Sequence, residues 1–310
     1  MIINQSFSSK EWWGLFSAVL SATALAAEGI AAKVAYAGGA NMLTTLAIRY
    51  LISALLLWGS LIIIPLRWNF GWKVLGSLVL LALFGQATTV LALFYSFQFI
   101  PAAITILFFY IYPAIVTILA AIFLHEPMTK SKIGALILSF LGLIVILGLP
   151  SGAQLDIRGI LGAIIAALTN AFYLIGQTKI IKNIEPRVYN YYNTLIMGIA
   201  FLLLALTTGT FNLNFNVNSL IAIIILALVC TIVAYMAMSW GLRYIGASRL
   251  AIISTLEPGI TALLGYLILK EKLQLGHFLG GILVLIGVVW QQIAREETGS
   301  CRKLYDIIKK

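Results

Sequence analysis

The last third of the chain repeats its middle at a fixed distance, and both copies are apolar over stretches long enough to cross a bilayer. Pro113 and Pro258 stand 145 residues apart. The same ungapped shift sets Ile100 on Ile245, Ala102 on Ala247, Leu124 on Leu269, Glu126 on Glu271 and Gly142 on Gly287. At the other end of each half it sets Gly14 on Gly159, Ala18 on Ala163 and Ala22 on Ala167. Aliphatic coincidences weigh little in so apolar a sequence; the paired helix-breaking prolines and the paired Leu-x-Glu endings carry the repeat. Two similar membrane half-bundles can rock about a site between them, so the duplication points to a carrier.

Composition closes off most alternatives. The 310 residues are 62% hydrophobic and 10% charged, where an ordinary soluble domain is about a quarter charged. At about 20 apolar residues per crossing helix, the chain accommodates roughly ten spans and no soluble catalytic domain. Runs bounded by Gly, Pro, Asn or charge place the spans near 12–35, 42–66, 72–97, 102–123, 131–149, 158–179, 190–208, 218–241, 249–269 and 275–294. The expected class is an all-α membrane protein of ten transmembrane helices. Residues 12–149 form one five-helix repeat, 158–294 the second, and 295–310 a short basic tail. No basic stretch with a cleavage site precedes the first span, so no removable signal peptide is expected. Cys230 lies in an apolar run and Cys301 in a charged tail. A disulfide is therefore not expected, nor is any metal or cofactor.

The net charge of +10 would suit nucleic acid, but its distribution describes a bilayer instead. With the N-terminus in the cytoplasm, fifteen Lys and Arg residues fall in inner segments. Only three, Arg158, Lys270 and Lys272, fall in outer loops, while Lys33 and Arg49 lie within spans. That asymmetry places both termini in the cytoplasm. Five spans per half is an odd number, so the second half enters from the opposite side. The repeat is expected to be inverted, with a pseudo-two-fold axis in the membrane plane that exchanges inner and outer gates.

Charged residues inside spans cost about 2.5–3.5 kcal/mol each on insertion scales and mark function or pairing. Lys33 is near an outer end, where a lysine snorkels to the interface. Glu28 and Arg49 each lie about eight residues, roughly 12 Å, from the outer ends of consecutive antiparallel spans, which makes an ion pair easy. Such a pair is either a structural lock or part of substrate or proton handling. Glu257 precedes Pro258 near the middle of span 9, where the proline is expected to kink the helix and free the Ser254 carbonyl. Tyr112–Pro113 is the matching pair in span 4. Ser254, Glu257 and Thr261 share one helical face, as do Asn170, Tyr173 and Gln177 in span 6. The repeat shift makes Tyr173 the mate of Glu28, and Tyr112 that of Glu257. With Gln86, Tyr235 and Trp240 as further walls, these residues define the expected substrate cavity. Gly276 and Gly280 form a GxxxG that permits close contact within the monomer or in a homodimer.

The tandem segments PAIVTILAAIFLHEPMT at 113–129 and PGITALLGYLILKEKLQ at 258–274 resemble the EamA domains of the drug/metabolite transporter superfamily. Lys33, Arg49 and Leu51 with the aliphatic run after it resemble basic positions of that family's first two spans. The similarity runs from about residue 14 to 294, while His125-Glu126-Pro127 departs from the more usual Gly-Glu-basic form. The resemblance implies an exporter or exchanger of small metabolites, including amino acids, with a cavity lined by spans 1, 3, 4, 6, 8 and 9. The expected partners are therefore a small-molecule substrate, protons and the lipid bilayer, with no nucleic acid. A channel is the main alternative. An intramembrane enzyme is disfavoured because no HExxH occurs, both histidines lie at span ends, and Asp156 and Asp306 lie outside the spans.

Overall fold

The computed structural model describes residues 8–63, 70–96, 99–100, 102–148, 156–269 and 275–290, and every regular element among them is helical. Among the described residues nine helices are long and apolar enough to cross a membrane: α1 Ser9–Ala37, α2 Met42–Ile62, α3 Trp72–Ser96, α4 Ile104–Leu124, α5 Lys130–Leu147, α6 Ile157–Ile180, α7 Pro186–Thr207, α8 Val217–Ile245 and α9 Ala247–Ile268. A shorter apolar helix, α10 Leu275–Trp290, follows them. The basic tail and Glu271 lie outside the described residues.

Local chemistry sets where these helices begin and end. Asn41, Thr129, Asp156 and Asn216 are N-caps whose side chains accept from a backbone N–H two or three residues on. Arg158 also donates to Asp156 and holds its carboxyl below the usual carboxylate range. His125 ends α4 in the left-handed region. Gly246, at φ +82°, lets the chain turn directly from α8 into α9, a conformation that costs glycine least.

Close packing reveals how the halves meet. A Cβ on Gly14 would collide with Ile245 and Tyr244, and one on Gly159 with Ile100 and Phe99. A Cβ on Gly142 would meet Gly280 and Val284, and one on Gly287 would meet Ala135 and Ser139. Every partner in these contacts maps onto its counterpart by the shift of 145. Thus α1 packs on α8 as α6 packs on α3, and α5 meets α10 across the same relation. The GxxxG of α10 is spent here, because Gly276 and Gly280 lie against Val145 and Gly142 of α5. Small residues allow this approach where lipid supplies no hydrophobic drive between helices. Glu126 adds a polar tie: it accepts from the Ala247 N–H at 3.0 Å and from Lys132 at 3.1 Å. A carboxylate at the start of α9 meets the positive end of that helix.

Two π-helical stretches occupy corresponding places, Leu81–Ala87 in α3 and Leu228–Val233 in α8. Gln86 and Thr231, related by the repeat shift, lie within them. A π turn displaces the hydrogen-bond register and re-aims side chains, which is why such bulges gather at functional sites.

Candidate functional site

Three helices that approach the centre of the molecule are interrupted there. Helix α1 turns at Ala27, and its second segment starts at Glu28. Helix α9 runs through a 3-10 turn at Ser254–Leu256 before its second segment starts at Glu257. In α4 the helix resumes at Tyr112, with Pro113 in its first turn. Proline is tolerated there because a first-turn N–H has no helical acceptor to lose. Each proline therefore opens a half-helix instead of bending a continuous one. The expectation of an unpartnered Ser254 carbonyl is corrected: the Glu257 N–H takes it, because the 3-10 turn bonds i to i+3. Both acids sit in the first turn of a half-helix, where negative charge is favoured.

Arg49 is 2% exposed and every face of its guanidinium is engaged. Nη1 donates to Glu28 Oε1 at 2.6 Å, Nε to Thr231 Oγ1 at 2.6 Å, and Nη2 to the Cys230 carbonyl at 3.1 Å. Both α8 partners belong to the π stretch. The Tyr50 ring lies 5.3 Å from the guanidinium. Glu28 itself is 34% exposed, so the pair is sealed on the arginine side and open on the carboxylate side.

Glu257 is half-buried. The Tyr110 hydroxyl lies against its carboxyl, and Glu28 is a charged neighbour. Tyr112 is a near neighbour of Ser254, whose hydroxyl donates to the Leu250 carbonyl at 3.0 Å. Thr261 reaches the Ala26 carbonyl at 3.1 Å, which ties α9 to the break in α1.

Beyond these charges lies a buried layer of neutral polar groups from α2, α3, α6, α7 and α8. Gln177 and Asn190 both donate to Ser239 Oγ, at 2.9 and 2.7 Å, and Ser239 donates to the Tyr235 carbonyl at 2.8 Å. Asn193 donates to Gln86 at 2.7 Å, and the Tyr50 and Tyr235 hydroxyls bond at 2.9 Å. Among the described residues, three amide oxygens in the layer have no hydrogen-bond partner, Gln177 Oε1, Asn190 Oδ1 and Asn193 Oδ1, and the Tyr173 and Tyr189 hydroxyls are neighbours of each other. Buried polar atoms are seldom left this way in a chain whose only task is to fold.

Glu28, Arg49, Gln86, Tyr112, Tyr173, Gln177, Tyr235, Ser254 and Glu257 are thus distributed between the two charged centres and the polar layer. Asn170 is half-buried and takes no part in these bonds. Trp240 is corrected. It lines a groove on the side of the bundle and stacks on Tyr244. Five residues beyond Tyr235, it lies roughly 140° further round the helix. Sequence reasoning missed Tyr50, Tyr189, Asn190, Asn193, Thr231 and Ser239. The spacing i, i+3 of Asn190 and Asn193 carried the signal, but the expected span begins only at 190. Pro186 instead begins α7 one turn earlier.

The EamA-like transporter family matches the chain twice, over residues 12–148 and 157–291. An uncharacterized transporter of Archaeoglobus fulgidus is 28% identical over 227 residues, covering 73% of this chain and 81% of its own. The uncharacterized transporter YxxF of Bacillus subtilis is 26% identical over 208 residues, 66% of each chain. A solved crystal structure matches with a TM-score of 0.79 over 93% of this chain and 99% of its own, at 15% identity, which speaks to the fold alone. Family and relatives point to transport rather than catalysis, and bacterial relatives fit the inner membrane as its place. The chain is a multi-pass membrane protein and belongs to the EamA-like transporter family.

Proposed function

We propose that the chain is a secondary transporter of small amine-bearing metabolites, amino acids or related compounds, that works by alternating access as an exporter or exchanger. In this reading ten spans form a 5+5 inverted repeat with both termini in the cytoplasm. The glycine contacts reproduced in each half, and the matched breaks in α4 and α9, support it. Residues 12–149 and 158–294 are then the two moving halves.

The arrangement of Glu28, Arg49 and Glu257 carries the substrate reading. Two carboxyls share one field with a single guanidinium that already donates to Glu28, Thr231 and the Cys230 carbonyl. A ligand that enters this field is best matched if it brings positive charge and N–H donors, as an ammonium does. Protons are the second candidate partner, because an acid in a low-dielectric site can exchange its proton for a bound cation.

Export by cells that express the chain tests the proposal. Cells loaded with labelled amino acids or amine analogues should lose label faster than cells expressing Glu257→Gln at equal membrane abundance. Equal efflux from both strains across amines, with faster loss of a purely anionic solute, would reverse the charge assignment. Conductance without saturation in reconstituted vesicles would replace the carrier by a channel.

A further inference from the structure

We propose that the groove between α1 and α8 is a binding site for an anionic phospholipid of the cytoplasmic leaflet, with an acyl chain in the groove and the headgroup at its basic mouth. The groove encloses about 580 Å³ and opens sideways from the bundle. Its walls include Phe16, Leu20, Ile232 and Met236, and Trp13, Trp240 and Tyr244 stand toward the inner end of the two helices. A chain that crosses a membrane presents such a groove to lipid tails, and aromatic rings at its end mark headgroup level.

The charge at the mouth selects the headgroup. Lys10 precedes Trp13 by three residues on the same face of α1. Arg243 is exposed and lies 5.8 Å from the Trp240 ring. Arg243 also donates to the Ile184 carbonyl at 3.5 Å, which brings the exposed Lys182 toward the same end. Glu11 and Glu185 are the nearby acids in sequence, but Glu11 faces Arg249 at 3.7 Å and Glu185 pairs with Arg187 at 3.1 Å. Basic pockets between spans on the cytoplasmic side are where anionic lipid headgroups bind.

The repeat supplies an internal comparison. The shift of 145 carries Trp13 to Arg158, Ser17 to Gly162 and Tyr244 to Phe99. There Gly162 packs against Ala92 and Ser96. Arg158 is bonded to Asp156 at 2.6 Å, so its charge is neutralised. The basic side chain beside the rings is thus paired with an acid on the α3–α6 side, whereas Arg243 bonds a backbone carbonyl on the α1–α8 side.

Native mass spectrometry of the full-length protein, with equimolar phosphatidylglycerol and phosphatidylcholine of identical chains, tests the assignment. The phosphatidylglycerol adduct should be favoured roughly thirty-fold, the contribution of two basic side chains near a headgroup. That preference should collapse in Lys10→Gln with Arg243→Gln. Salt offers a test without mutation: raising ionic strength should erode the wild-type preference, because exposed charges are screened. Filling the groove with Ser17→Leu should reduce retention of both lipids together. Equal retention of the two lipids by wild type would overturn the proposal. So would a preference that survives both the double variant and high salt.

Discussion

Arg49 is the residue on which the centre of the molecule depends, because its charge is buried and its partners come from two helices besides its own. Removing Glu28 strands that guanidinium, and breaking a buried pair in this way costs about 3–5 kcal/mol. Removing Arg49 instead leaves a carboxylate that is 34% exposed and partly screened by solvent, so the loss is smaller. The expected order of thermal stability in detergent is wild type, then Arg49→Gln, then Glu28→Gln. The double variant should recover most of the difference. An undiminished midpoint in Glu28→Gln alone would show that the pair does not hold α1 to α2. Glu257 is separable from this lock by function. If it exchanges a proton for substrate ammonium, transport in vesicles depends on pH, and Glu257→Gln loses that dependence while staying folded. An unchanged rate and pH profile in the variant would assign Glu257 to packing alone.

At the scale of the helices, contact is governed by where glycine is required and where it is incidental. Gly280 and Gly281 are neighbours on α10, but a Cβ on Gly280 would strike the Gly142 carbonyl and Ile146, while one on Gly281 meets nothing within 4 Å. Gly280→Ala should therefore destabilise by about 1–3 kcal/mol through overpacking. Gly281→Ala should be neutral, or stabilising by up to about 1 kcal/mol through helix propensity. Parallel thermal unfolding of the two variants checks the α5–α10 contact, and equal midpoints would refute it. The sequence exposed this contact only in part. GxxxG announces close approach, yet it is silent on whether the partner is another helix of the same chain or a second copy. The π stretches were not legible at all, since a displaced hydrogen-bond register leaves no mark in hydrophobic periodicity.

For the whole molecule the decisive measurement is topology. Reporter fusions after Lys10, Lys132, Lys182 and Lys310 should report cytoplasm, and fusions within 37–41, 151–156 and 211–217 should report the outside. An external signal from the C-terminus would change the parity of spans and with it the inverted relation between the halves. Much of this level was present in the sequence: the shift of 145, the positions of the spans, the asymmetry of basic residues and the pairing of Glu28 with Arg49 are all linear patterns. They are linear because a bilayer forces backbone polar groups to be satisfied within each helix, so span, depth and repeat are written locally. What joins Asn193 to Gln86, Ser239 to both Gln177 and Asn190, and Arg49 to Thr231 is different in kind. Those partners lie 49 to 182 residues apart, and their meeting depends on crossing angles, on the π turn of α8 and on the close approach that glycine permits. Periodicity showed which side chains share a face; only the packing of helix against helix, within and between the halves, decided which faces meet.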